Sequence, residues 1–263
     1  MAIYFFVFLF GVIIGSFLNV CIYRLPKELS IIHPSSHCPS CGKPVRFYDN
    51  IPIISYFILR GKCRSCKSPF SFRYPFVEAL NGLLYLLIVL KFDLIWLDIL
   101  YFIFISAMVV VFFIDLDHQI IPDKITLPGI PLGFISAGFF LPDPFFRDAN
   151  LGLTGSYIGM ASGCFFFFTI ALYGSYILKK EAMGVGDIKF MTMIGAVLGW
   201  KGVILTTFTA SLFGVIAGTF FIFGQKKSEK ARKIPFGPFL TIGASISLFF
   251  GQEILLFYVK MMY

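Results

Sequence analysis

Two aspartates stand where an apolar chain has least use for them. Asp187 falls in the stretch Met183-Gly184-Val185-Gly186-Asp187-Ile188-Lys189, and Asp115 opens Asp115-Leu116-Asp117-His118, which runs on to Ile121-Pro122-Asp123. Both adjoin long apolar runs. A charge inside a bilayer costs at least about 2.5 kcal/mol, so an ionisable residue there is a functional-site candidate. Two carboxylates brought together in a partly dry site cannot both ionise easily. One then serves as general acid while the other, as base, activates a water, and their titration belongs to the pair. Such a dyad hydrolyses peptide bonds without a covalent intermediate. The plainer reading of Asp187 is a helix N-cap, and Asp123 with Thr126 can cap the segment that starts after Pro122. Asp117 and His118 also have a fair structural explanation, whereas Asp115 has the poorest. Gly184 and Gly186 would let the backbone bend sharply and another segment approach closely.

A second group of reactive side chains precedes these. Cys38-Pro39-Ser40-Cys41-Gly42 and Cys63-Arg64-Ser65-Cys66-Lys67 are two knuckle-like turns separated by twenty-one residues. Four thiolates in two such pairs match a closed tetrahedral zinc site, with Lys43, Lys62, Arg64 and Lys67 to offset its excess negative charge. The rival reading is a pair of disulfides, which a reducing cytosol disfavours. A closed four-sulfur site leaves no position for water, so its expected role is folding. His33 and His37 lie just before it, in a supporting or solvated role. Cys21 and Cys164 stand alone in apolar surroundings and read as packing residues.

The elements that must position these groups are membrane helices. The chain of 263 residues is 58% hydrophobic and 14% charged, with a mean hydropathy of +0.86, and a soluble domain averages about 25% charged residues. About 20 apolar residues cross a bilayer, which yields an all-α polytopic protein of about eight spans: 2–22, 74–91, 94–114, 125–142, 150–178, 188–200, 202–224 and 235–258. A very short turn near Lys91 and Asp93 joins the second to the third. The shortest, 188–200, is expected to enter the membrane in part or obliquely. The first run lacks a basic start and a cleavage site, so it reads as a retained helix. The organisation is a first span (1–23), a polar cysteine loop (24–73) and a helical catalytic domain (74–263), with no internal repeat. If the cysteine loop is cytoplasmic, eighteen of the twenty-two basic residues lie inside. The positive-inside rule then puts the N-terminus outside and both aspartates at cytoplasmic span ends. The net charge of +8 points through this distribution to anionic lipid and not to nucleic acid. Residues 225–233 read as a solvated basic loop.

Taken in order, these residues resemble the bacterial type IV prepilin peptidases, membrane aspartic proteases with a Gly-x-Gly-Asp motif. The resemblance is carried by Gly15-Ser16-Phe17-Leu18-Asn19-Val20 with Tyr23-Arg24-Leu25-Pro26, and by the paired cysteines with Arg73-Tyr74-Pro75 and Glu78. It continues in Asp115 to Asp123, in Gly184 to Lys189 and in Pro235-Phe236-Gly237-Pro238-Phe239. It implies that Asp115 and Asp187 are catalytic, that Cys38, Cys41, Cys63 and Cys66 hold zinc, and that the protein sits in the bacterial inner membrane. Its substrates would be prepilins or pseudopilins, whose short basic leader is cut on the cytoplasmic side. The four cysteines match members that also methylate the new N-terminus from S-adenosylmethionine, although no Gly-rich nucleotide loop is visible. The basic cysteine loop would repel a basic leader, so leader recognition needs acids. Glu78 is one candidate, against an interhelical hydrogen bond or ion pair. Two rival classes remain at this point, a transporter with an acidic relay of Asp115, Asp187 and Glu78, and a zinc-bearing scaffold without chemistry.

Overall fold

The computed structural model describes residues 2–92, 97–179, 183–224 and 235–262. Asp93, Lys180 and the basic loop 225–233 lie outside the described residues. The chain divides into two compact units, Met1–Val110 and Val111–Tyr263. The helices are α1 (Ala2–Arg24), α2 (Ile54–Ile58), α3 (Arg73–Phe92), α4 (Asp98–His118), α5 (Asp123–Phe139), α6 (Gly152–Leu178), α7 (Val185–Gly224) and α8 (Gly237–Met262). Among the described residues six are long and apolar enough to cross a membrane: α1, α3, α4, α6, α7 and α8. The count differs from the eight stretches read in the sequence at two places. The stretch 125–142 forms the 17-residue α5, which carries Pro128 and Pro131 inside it. The stretches 188–200 and 202–224 are two helices in one uninterrupted run, α7, that meet at a kink at Gly199, whose φ of 68° and ψ of −179° are non-helical and suit only glycine. The first of them is too short to cross a membrane by itself. Lys201 lies just past that kink, and its ammonium leaves the apolar face for Asp143, 2.9 Å away.

In the first unit α1 packs on α3 through small residues, as membrane helices do where apolar burial supplies no drive. A Cβ on Gly11 would stand 2.8 Å from the Gly82 Cα, and one on Gly15 would stand 2.7 Å from the Glu78 Cα. Asn81 donates to the Gly11 carbonyl at 2.7 Å and Asn19 to the Tyr74 carbonyl at 3.0 Å, which closes the pair with polar bonds. Tyr85 stacks on Phe102, with ring centroids 4.1 Å apart, and its hydroxyl meets Ser106 at 2.8 Å. These contacts place the first part of α4 against α3.

In the second unit α7 is central and packs on α5, α6 and α8. The crossing with α6 is the closest: a Cβ on Gly159 would stand 2.0 Å from the Gly195 carbonyl oxygen. Ser156 donates to the Ala196 carbonyl at 2.6 Å beside it. A small antiparallel hairpin of β1 (Pro142–Asp143) and β2 (Phe146–Asn150) joins α5 to α6. Lys201 fixes it by its bond to Asp143 and by lying over the Phe146 ring, 4.1 Å from its centroid. No strand is expected there from the apolar pattern, since two residues are too few to show an alternation.

Candidate active site and metal centre

Asp115 sits one turn before the end of α4 and is 5% exposed, while Leu116, Asp117 and His118 after it are exposed. One residue of helix turns the side chain through about 100°, which is why neighbours in one acidic run meet such different surroundings. The Asp115 Oδ2 accepts a hydrogen bond from the backbone N–H of Gly237 at 2.8 Å. Gly237 opens α8, where helix geometry leaves N–H groups without internal partners and the dipole favours an anion. The bond therefore satisfies both sides. It also needs a glycine, since a Cβ at 237 would stand 2.6 Å from that same Oδ2.

Asp187 is the third residue of α7, in its first turn, and Gly184 occupies the capping position before it. Asp187 is thus not the N-cap, and the Gly184 backbone N–H supports its carboxylate. The charge of Asp115 bears on Asp187, so the two carboxylates lie within electrostatic reach of each other. Two local features bring them together. Gly186 packs on the linker that follows α4, where a Cβ would meet the Ile121 Cβ at 3.1 Å. Lys189 reaches Asp123 at 2.8 Å across the starts of α7 and α5. That ion pair is partly exposed and worth at most about 1 kcal/mol, so it orients more than it stabilises. Asp123 follows Pro122, the N-cap of α5, which carries no side-chain cap bond. The expected capping role of Asp123 is therefore replaced by the pair with Lys189.

The four cysteines form the second centre. The sulfurs of Cys38, Cys41, Cys63 and Cys66 all lie within 4.8 Å of one another, and those of Cys38 and Cys66 are 3.8 Å apart. All are free thiols, at separations no disulfide has. Four sulfurs about 2.3 Å from one zinc ion would stand about 3.8 Å apart, so the donor set fits that ion. The two turns are built alike. The Cys38 N–H donates to the Lys43 carbonyl at 2.9 Å, and the Cys63 N–H donates to the Ser68 carbonyl at 2.9 Å. Each turn bends at a positive φ, 68° at Gly42 and 61° at Lys67. The short pattern Cys-x-Ser-Cys-x-x-Pro is thus repeated once. The Cys41 backbone N–H and the Ser68 hydroxyl pull the Cys38 thiol down to about 6. Ser68 lies 3.1 Å from the Cys66 sulfur and lowers that thiol as well. The loop is braced from outside by Arg64 on Asp49, with Nε 3.0 and 2.8 Å from the two carboxylate oxygens.

Glu78, in α3, is 7% exposed and accepts from the Ile53 N–H at 2.7 Å and from the Ser16 hydroxyl. The hydrogen-bonding alternative for this residue is the one observed. Two contributors have no role assigned from the sequence. Ser68 was visible only as part of the repeated turn. Gly237 stood in Phe236-Gly237-Pro238 at the start of an apolar run, and an amide donor there is invisible until α4 is beside it.

Residues 9–92 match the family model for the bacterial peptidase A24 N-terminal domain, and residues 102–219 that for the type IV leader peptidase family. A Myxococcus xanthus protein named prepilin leader peptidase/N-methyltransferase is 39% identical over 81% of the chain, which spans 61% of that relative's length. A Pseudomonas aeruginosa protein of the same name is 34% identical over 96% of the chain and 92% of its own length. A Neisseria gonorrhoeae protein, again of that name, is 34% identical over 90% of the chain and 86% of its own. No solved structure is significantly similar. With two family models in sequence order and relatives matched nearly end to end, the chain belongs to the type IV leader peptidase family.

Proposed function

We propose that the chain is a membrane aspartic endopeptidase that removes the basic leader from type IV prepilins or pseudopilins and then N-methylates the new terminus. One observation carries the peptidase half. Two carboxylates from helices far apart in sequence lie within electrostatic reach of each other, the first buried on an amide donor and the second at a helix start. One of them holds a proton and donates it to the leaving amine, while its partner takes a proton from the attacking water. The Gly237 N–H keeps the Asp115 carboxylate from turning away. Family membership favours this chemistry over an acidic relay for transport, and the aspartate geometry is unexplained by a scaffold.

The positive-inside distribution supports an N-terminus outside and a site that opens to the cytoplasm, where the leader is. The substrate's apolar helix would lie in the bilayer against the spans, which brings the scissile bond to the interface and spares entropy in the chemical step. The division into a first span, a cysteine loop over 24–73 and a catalytic remainder goes with this reading. Zinc, held by Cys38, Cys41, Cys63 and Cys66, would supply folding energy to the loop, and its four sulfurs leave no position for a reacting water. S-adenosylmethionine would supply a methyl group, the amine nitrogen gaining carbon and losing a proton as the sulfonium becomes a neutral thioether.

The deciding experiment is cleavage of a prepilin by purified protein, with Asp115→Asn and Asp187→Asn compared with wild type. Asparagine keeps the shape and removes the titrating proton. Both variants are expected to fold, to bind zinc and to cut nothing. Turnover at the normal rate by either would defeat the assignment and turn attention to Asp117 and Asp123.

A further inference from the structure

The first unit contains a cavity of about 210 Å³, open on one side and bounded by α1, α3 and the loop between them. Its lining carries two buried charges of opposite sign, Glu78 and Arg24, each 7% exposed, besides Asp49, which Arg64 pairs, and the exposed Lys62. Neither neutralises the other. Arg24 donates to the carbonyls of Ser30 at 2.8 Å and Pro34 at 2.7 Å. Glu78 accepts only from an amide and a hydroxyl, and among the described residues no basic side chain pairs with it. Tyr56, Phe70 and Tyr74 also line it. Leaving a carboxylate and a guanidinium in one small apolar cavity is costly unless a ligand brings the opposite charges.

The wall facing Glu78 is strained. Ile53 has φ 61° and ψ −56°, and the Ile54 N–H reaches back to the Pro52 carbonyl at 2.6 Å. This is the rare form of the γ-turn, which a β-branched residue adopts only when its surroundings force it. Glu78 accepts from the N–H of this residue at 2.7 Å, which ties the turn to the carboxylate. Strain of this kind gathers where a binding surface has to be shaped in advance.

We propose that this cavity is the binding site for the sulfonium methyl donor, S-adenosylmethionine, with Glu78 as counter-charge for its cationic groups and Arg24 for its carboxylate. The inference rests on the methyl-transfer half of the proposed function. The chemistry selects the donor by three features at once. An amino acid end needs one positive and one negative partner, a sulfonium adds a cation that aromatic faces attract, and an adenine needs a flat apolar wall. Binding sites for whole drug-sized ligands run to about 300 Å³ or more. This cavity is therefore sized for the charged methionine end, with the remainder of the donor at its mouth.

The test is equilibrium binding of tritiated S-adenosylmethionine to the full-length, zinc-loaded protein in detergent, with photocrosslinking to locate the contact. Two variants are compared, Glu78→Gln, which keeps an acceptor for Ile53, and Leu59→Trp, which fills the cavity from a half-buried wall position. Zinc content and thermal midpoint establish that each is folded. Glu78→Gln is expected to weaken binding at least tenfold and to shrink the preference over the uncharged-sulfur analogue S-adenosylhomocysteine. Leu59→Trp is expected to abolish binding, and the crosslink to fall on the cavity wall. Undiminished binding by both variants, or a crosslink elsewhere, would overturn the cavity assignment and leave methyl transfer standing. Displacement of the donor by phosphatidylethanolamine at micellar levels would mark the cavity as a lipid headgroup site instead. If wild type binds no donor at all, the methyl-transfer reading falls and this inference with it.

Discussion

The contact between Gly237 and Asp115 predicts a specific failure for Gly237→Ala. The new Cβ would stand 2.6 Å from the Asp115 Oδ2, 3.0 Å from Cγ and 3.1 Å from Cβ. An ordinary non-bonded contact needs roughly 3.5 Å, so the carboxylate or the start of α8 must retreat by about 0.9 Å. The 2.8 Å bond from the Gly237 N–H ends on the same oxygen, and a retreat of that size lengthens and weakens it. Hydrogen bonds to charged groups are worth about 1.5–3 kcal/mol. Misplacing a reacting group by about 1 Å costs on the order of a hundredfold in rate, which is about 2.7 kcal/mol of barrier. The substrate's leader and helix do not touch this bond in the proposed reading. The loss should therefore appear in kcat, with KM little changed. Steady-state cleavage of a prepilin over a range of substrate concentrations separates the two, and thermal unfolding in detergent shows whether α8 remains packed. A Gly237→Ala enzyme with wild-type kcat would refute the argument, because it would mean that the Asp115 position is not what limits turnover.

Loss of one zinc ligand should act on the loop and spare the aspartate site: Cys38→Ser is expected to bring bound zinc from about one ion per chain to none, measured by elemental analysis, and to open residues 24–73 to limited proteolysis. The Arg64 guanidinium holds the Asp49 carboxyl below the usual carboxylate range. That contribution is then fully present above the unfolded value of about 3.9 and is lost only as pH falls through the lower folded value. Asp49→Asn should lower the loop's resistance to proteolysis by a constant amount between about pH 5 and pH 8. The gap to wild type should close in stronger acid, and a gap that widened with acidity would refute the pairing.

The elements that could be read from the chain were those whose signal is local. Paired cysteines with a fixed spacing announce a tetrahedral donor set wherever the turns lie, and long uncharged runs announce spans. Two kinds of information were not local. The stretches on either side of Lys201 are separate helices, but the lysine that suggests an end is not the cause, because the break falls at Gly199. The lysine's partner Asp143 belongs to a hairpin too short to recognise, and a glycine in an apolar run does not by itself announce a kink. The meeting of Asp115 with Asp187 was likewise beyond reach, since it depends on Gly186 resting on Ile121 and on α8 starting at Asp115. Glu78 was recognisable as a buried acid in need of a reason. Its bond to a strained amide at Ile53 could only be seen once α3 and the loop were folded together.

The Gly-x-Gly-Asp stretch looks like one motif, yet its two glycines stand in different circumstances, and this yields a further prediction. Gly186 is close-packed, with Ile121 Cβ 3.1 Å from where its own Cβ would be. Gly184 is exposed, and the nearest atom to its hypothetical Cβ is the Asp187 Oδ2 at 3.5 Å, an ordinary contact. Neither has a positive φ that would demand glycine. Gly184→Ala therefore meets no steric obstacle and loses only a capping preference, worth about 0.5–1 kcal/mol. Gly186→Ala must push Ile121 by a few tenths of an ångström, and with it the turn that joins α4 to α5 next to Asp115. The expected order of cleavage rates is wild type close to Gly184→Ala and well above Gly186→Ala, at equal amounts of folded protein. If Gly184→Ala proves as inactive as Gly186→Ala while its thermal midpoint stays within a few degrees of wild type, packing within the chain cannot be the reason. The open face at 184 would then be where the substrate backbone approaches the carboxylates.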